Sequence, residues 1–161
     1  MSTTFVERFA DLHRTAYRAS FAILGRRVDA EDCAQEALAR TMVRWSKVQS
    51  YAPAFTARVA TNLALDRSRH AGKTVLSDGA TLAMLGGHVD PMLDRRRDLI
   101  TAIHALPNRQ REAVTLRYFA DLPESETAAM MKCTVGTVKS TTSKALQKLR
   151  LDLGPRWAWG D

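Results

Sequence analysis

An all-α fold is predicted: an N-terminal helical bundle and a C-terminal helix-turn-helix domain, two small helical domains joined by a flexible linker. Three observations predict it. Apolar residues recur at every third or fourth position through most of residues 5–69. The stretch 71–93, AGKTVLSDGATLAMLGGHVDPML, loses that periodicity and holds Gly72, Gly79, Gly86, Gly87 and Pro91. Residues 121–150 read as two short helices around a tight turn, the second of them basic. The expected boundaries are 1–70, 71–94 and 95–161, and 161 residues suffice for two modest cores. Val75, Leu76, Leu82, Met84 and Leu85 are many for a solvated tether, so part of the linker lies against a domain or a partner, or forms a short packed helix at 80–85.

In the first domain, Phe5, Phe9, Leu12, Ala16, Ala19 and Ile23 mark a helix that ends at Gly25. Asp29 can cap a second helix, with Glu31 and Asp32 in its first turn and Cys33, Ala37, Leu38, Thr41 and Trp45 on its apolar side. Pro53 precedes a third, on which Phe55, Val59, Leu63 and Asp66 share a face and Arg58, Arg67 and Arg69 spread around the rest. Three amphipathic helices with short connections form a small bundle.

In the second domain the first helix of the pair opens at Leu122, with Pro123 at the first helical position and Glu124 and Glu126 at the positive end of the dipole. The turn falls at Lys132-Cys133-Thr134, and Thr134 caps the second helix with its hydroxyl. Val135, Val138, Ala145, Leu146 and Leu149 form its buried stripe. The opposite face carries Thr137, Lys139, Ser140, Thr141, Ser143, Lys144 and Lys148, which offer hydrogen bonds to base edges and charge to phosphates. An ordinary amphipathic helix with a solvated lysine face is the plainer alternative.

The chain carries 24 Lys+Arg against 17 Asp+Glu, a formal charge of +7, with both ends basic and residues 71–94 slightly acidic. That sign attracts phosphate but does not by itself establish a nucleic-acid partner. No apolar run is long enough to insert in a membrane and MSTTFVERF lacks a signal-peptide layout, so the chain is expected in the cytoplasm. Cys33 and Cys133 are isolated and expected as reduced structural thiols. There is no glycine-rich phosphate loop, metal-ligand cluster or nucleophile beside a base, and His13, His70, His88 and His104 are scattered; neither an enzyme nor a cofactor is expected.

The blocks DAEDCAQEALARTMVRW (29–45), ARVATNLALDRSR (57–69), LPNRQREAVTLRYFADLPESETAAMM (106–131) and CTVGTVKSTTSKALQKLR (133–150) resemble those of bacterial extracytoplasmic-function sigma factors, in the family's order and with a linker where the family has one. The resemblance implies a subunit that directs core RNA polymerase to promoter DNA. Its first domain would dock on the polymerase and open the −10 element, and its second would read the −35 element. Asp32, Gln35, Glu36 and Arg40 match the family's polymerase-docking segment, and an acidic, amide-bearing helix suits a basic partner. The segment Lys47 to Phe55 matches the loop that captures an unpaired base, with Tyr51 the better candidate for base contact and Phe55 for the core. Asn62 matches a position beside the base pocket, and Arg58, Arg67 and Arg69 could hold the backbone. For the −35 element the matching residues are Thr137, Lys139, Ser140, Ser143 and Lys144, with Arg109, Arg111 and Arg117 as further backbone contacts.

Two positions depart from the family pattern. Lys132 replaces a common turn glycine, so the turn must avoid a left-handed residue or bear a small strain, and Thr141 replaces a common arginine. The resemblance also implies an anti-sigma factor that wedges between the domains. Other readings are a stand-alone helix-turn-helix regulator, with residues 1–70 as a dimerisation or effector domain, and a sigma-like protein that no longer opens promoters. Trp157 and Trp159 could close the second core or touch a partner.

Overall fold

The computed structural model describes residues 3–84 and 91–155, and among these every regular element is helical. Helix α1 (Phe5–Leu24) starts with a capping box: the Glu7 amide donates to the Thr4 hydroxyl at 3.3 Å, and the Thr4 amide donates to the Glu7 carboxylate at 2.7 Å. It stops at Gly25, whose φ of 67° is the left-handed conformation that glycine adopts without strain. Leu12, Ala16, Ala19 and Ile23 are buried as expected, but Phe9 is 41 % exposed. The reason is geometric. Rings at Phe9, His13, Tyr17 and Phe21 stack along a row of four-residue steps, and such a row winds about 40° per step away from the core-facing line.

Helix α2 (Arg27–Val43) starts two residues before the expected cap. Asp29 lies inside the first turn, where its carboxylate meets Arg26 and Arg67, each at 3.4 Å, and favours the helix through the dipole rather than as a cap. A short α3 (Trp45–Val48) and a 3₁₀ turn (Gln49–Tyr51) lead into α4 (Ala52–Met84), with Pro53 in its first turn. The backbone of residues 71–84 thus continues α4, where the sequence predicted loss of helical pattern. Extending an existing helix needs no new nucleus, and Gly72 and Gly79 cost about 1 kcal/mol each relative to alanine. The linker residues 85–90, Trp157 and Trp159 lie outside the described residues.

Helix α4 packs through small residues, with Ala52 and Ala60 against α1 and α2 and Ala54 and Ala57 against the C-terminal half; Thr56, Thr61 and Ala64 are buried as well. The expected stripe differs, since Phe55, Val59 and Leu63 are half-buried and Asp66 is exposed. Its cause is a second packing partner, the C-terminal half, which covers part of α4 that a three-helix bundle would leave open.

That half comprises α5 (Pro91–His104), α6 (Asn108–Val114), a π-helical turn (Thr115–Phe119), α7 (Glu124–Met131) and α8 (Val135–Leu153). Arg111 fixes the corner after α5 by donating to the carbonyls of Ile103, His104 and Leu106 at 3.2, 2.7 and 3.0 Å. The halves share their cores. Ile23, Cys33 and Leu65 cluster with Ile100, Ile103, Leu106 and Leu149, and Ala54 and Ala57 cluster with Leu116, Met131 and Val138. At the edge of this contact the Arg96 guanidinium sits 5.8 Å from the Phe21 ring centroid.

Candidate nucleic-acid interface

The helix-turn-helix forms with small shifts from its expected limits. Helix α7 begins at Glu124, with Pro123 as N-cap rather than first helical residue. Leu122 is buried before it, and Arg117 Nη1 donates to the Leu122 carbonyl. The C-cap Lys132 has φ 54° and ψ 49°, so the second of the two outcomes foreseen for it holds: a non-glycine residue takes the left-handed form. Thr134 caps α8, accepting the Thr137 amide at 3.1 Å. Val138, Thr142, Ala145 and Leu149 form the buried stripe; Leu146 is half-buried and Val135 is 39 % exposed. Val135 is the first residue of α8, directly after the cap.

The outward face of α8 presents Thr137, Lys139, Ser140, Ser143 and Lys144, all exposed, with Thr141 half-buried. Thr137 and Ser140 spend hydrogen bonds locally, Thr137 with the Thr134 hydroxyl at 2.9 Å and Ser140 on the Thr137 carbonyl at 3.1 Å. Lys139 Nζ lies 3.7 Å from Glu124, a loose exposed pair that salt screens. The arginines suggested as backbone contacts make hydrogen bonds within the protein, Arg109 while its side chain stays 56% exposed. Arg111 and Arg117 serve carbonyls of their own half, and Arg109 donates to the Met131 carbonyl at 3.0 Å.

On α2, Asp32, Gln35, Glu36 and Arg40 are exposed and form one polar row. Gln35 donates to Glu31 at 2.8 Å and Arg40 to Glu36 at 2.8 Å. The Gln35 hydrogen bond, and then that of His13 at 2.9 Å, hold the Glu31 carboxyl below its usual range, so the row stays acidic. Asp32 accepts from Arg67 at 3.2 Å.

The residues expected at the −10 element do not share one open surface. Tyr51 is 45 % exposed and meets Phe55 edge-on at 6.4 Å, while Arg44 lies 6.0 Å from the Phe55 ring. Arg67 is bound to Asp29 and Asp32 on α2. Arg58, Asn62 and Arg69 line a polar cleft of about 340 Å³ whose far wall is Asn108, Arg111 and Glu112 of the C-terminal half. Sequence reasoning missed Glu112, since nothing in its neighbourhood marks a contact with a residue 54 positions earlier. Among the described residues no cluster of His, Cys, Asp or Glu could hold a metal ion, and no helix is long and apolar enough to cross a membrane.

Residues 8–74 match Sigma-70 region 2 and residues 96–149 match Sigma-70, region 4. The chain is 36% identical over 136 residues to the RNA polymerase sigma-E factor of Streptomyces antibioticus, covering 80% of this chain and 73% of that protein. The chain belongs to the extracytoplasmic-function sigma factors. A relative further away in sequence is the ECF RNA polymerase sigma factor SigW of Bacillus subtilis, 27% identical over 153 residues, with 85% and 82% of the two chains covered. The fold is also that of the sigma factor RpoE in a co-crystal structure with the anti-sigma factor NepR from Bartonella quintana, with a TM-score of 0.56, 21% identity, and 92% of this chain and 96% of that one covered. This sigma factor is accordingly an alternative sigma factor that directs RNA polymerase to promoters, and the reading as a stand-alone regulator falls away. Sigma factors are non-enzymatic initiation factors.

Proposed function

We propose a division of labour within this sigma factor, over domains at 1–70 and 95–161 with 71–94 as the connection. Helix α8 reads the −35 element through Thr137, Lys139, Ser140, Ser143 and Lys144. The face of α4 with the turn before it captures the −10 strand through Tyr51, Arg58, Asn62, Arg67 and Arg69. Helix α2 docks on core RNA polymerase through Asp32, Gln35, Glu36 and Arg40.

The observation that carries this reading is the contrast between two exposed helix faces. The α8 face bears hydroxyls and lysines and no carboxylate from Thr137 to Lys148, the composition that phosphates and base edges require. The α2 face is an acidic and amide row that would repel DNA and suits a basic protein surface. One chain with both can hold a protein and a duplex at once.

We also infer that the protein acts in the cytoplasm, and that an anti-sigma factor engages both halves, by likeness to the RpoE complex with NepR. The test of the function is in-vitro transcription with core RNA polymerase over genomic promoter fragments. Start sites that share upstream elements and vanish without the protein are the expected result. DNA binding without defined starts would overturn the assignment of promoter opening to this chain.

A further inference from the structure

The polar cleft between α4 and α6 has the size and the donors of a small-ligand site. Its volume of about 340 Å³ falls at the lower end of the range that small-molecule pockets occupy. Arg58, Arg69 and Arg111 line it against Asp66 and Glu112, which leaves a net positive charge. These groups are not equally engaged. Arg58 pairs with Glu112 at 2.8 Å and donates to the Met130 carbonyl at 3.2 Å, so that pair is closed on itself. The Arg69 side chain is exposed and makes no hydrogen bond or ion pair among the described residues. Arg111 holds its three carbonyls through Nε and Nη2, with Nη1 outside those bonds. One guanidinium with donors to spare thus stands on each wall.

His104 registers the resulting field. After burial, the largest influences that lower its pKa are the charges of Arg69 and then Arg111, and these outweigh the opposing carboxylate of Asp66. Two side-chain amides complete the lining. Asn62 of α4 and Asn108 at the start of α6 are exposed, and neither amide has a hydrogen-bond partner among the described residues. An amide offers a donor and an acceptor together, which a base edge can match, and a guanidinium offers the fork that a phosphate fits.

We propose that this cleft binds a free nucleoside monophosphate, with the phosphate on Arg69 and Arg111 and the base edge on Asn62 and Asn108. The inference rests in part on the reading that Asn62 lies beside the captured base, since the nucleotide takes the amide that a promoter base would take. It adds a second wall, Asn108 and Arg111, that strand capture does not require. Inorganic phosphate satisfies only the guanidiniums, so the amides give the site its preference for a nucleotide.

The test is calorimetric titration of the full-length chain at low salt with AMP, GMP, CMP and UMP, and with inorganic phosphate. The expected result is saturable binding of at least one nucleotide, about tenfold tighter than inorganic phosphate. Arg69→Ala and Asn108→Ala should each weaken that nucleotide about five- to twentyfold, with thermal melting to show that both variants fold. A single-stranded −10 oligonucleotide, presented to the chain assembled with core polymerase, separates this site from strand capture: Asn108→Ala should leave its binding unchanged, whereas Asn62→Ala should weaken strand and nucleotide alike. No nucleotide binding up to millimolar concentration, inorganic phosphate held as tightly as any nucleotide, or nucleotide binding that survives both Arg69→Ala and Asn108→Ala would overturn the site. Loss of the nucleotide but not of the strand on Asn62→Ala would leave the cleft in place and remove Asn62 from strand capture.

Discussion

Lys132 is a residue whose backbone works against its side chain. At φ 54° it holds the turn between α7 and α8, and an L residue there costs roughly 1–2 kcal/mol, whereas glycine costs about 0.5–1 kcal/mol through its freedom in the unfolded chain. Lys132→Gly is therefore expected to stabilise the fold by about 0.5–1 kcal/mol, read as a higher urea midpoint at unchanged slope. Two residues on, Thr134 works in the opposite sense: Thr134→Ala removes the acceptor of the Thr137 amide and should cost about 1 kcal/mol in the same assay. The Thr134 cap was legible in the sequence, because cap chemistry depends on neighbours within three positions, whereas for Lys132 the sequence located the turn and left open whether the backbone there is left-handed. The inward turn of Arg111 was not legible, since its three carbonyl partners are assembled only when α5 stops.

Among the elements, α8 and α2 should separate cleanly under mutation. Lys144→Ala is expected to weaken binding to a −35 duplex and to lower the slope of log affinity against log salt by about one. Asp32→Ala should leave duplex binding unchanged and loosen association with core polymerase, measured by fluorescence competition. Equal effects of both changes in both assays would dissolve the distinction between the faces. Periodicity located α1, α2 and the helix-turn-helix to within a few residues because each has one buried face. On α4 it found the helix at Pro53 but not the most buried line, whose Ala52, Ala54, Ala57, Ala60 and Ala64 are covered from two directions. Alanine is common on exposed and buried faces alike, so a helix that packs closely through alanines gives little hydropathy contrast, and the bulkier Phe55 and Val59 drew attention to a half-buried side.

For the whole molecule, the contact between halves carries a titratable group. Ser68 donates to the Leu65 carbonyl at 2.7 Å, so His104 Nε2, 2.9 Å from the same hydroxyl, must be the donor to it, and the buried Nδ1 is unprotonated. Burial, with the positive charges of Arg69 and Arg111, holds this imidazole below the usual histidine range, against an opposing effect of Asp66. The unfolded chain then binds a proton more readily than the folded one, so stability is full above about pH 6.5 and falls as pH drops from there toward the folded-state value. The melting temperature should decline between about pH 7 and pH 5.5, and His104→Gln should flatten that decline. Glu31, held low by Gln35 and His13, acts in a separate window, with stability lost only as pH falls below the ordinary carboxylate range. A last consequence comes from the end of α7, where Met130 receives Arg58 and the following Lys132 turns the chain into α8. Under the proposed assignment of Arg58 to the −10 strand and α8 to the −35 duplex, both contacts draw on one anchor, and thermodynamic linkage makes their coupling reciprocal: the factor by which a bound −35 duplex changes affinity for the −10 strand is the factor by which the strand changes affinity for the duplex.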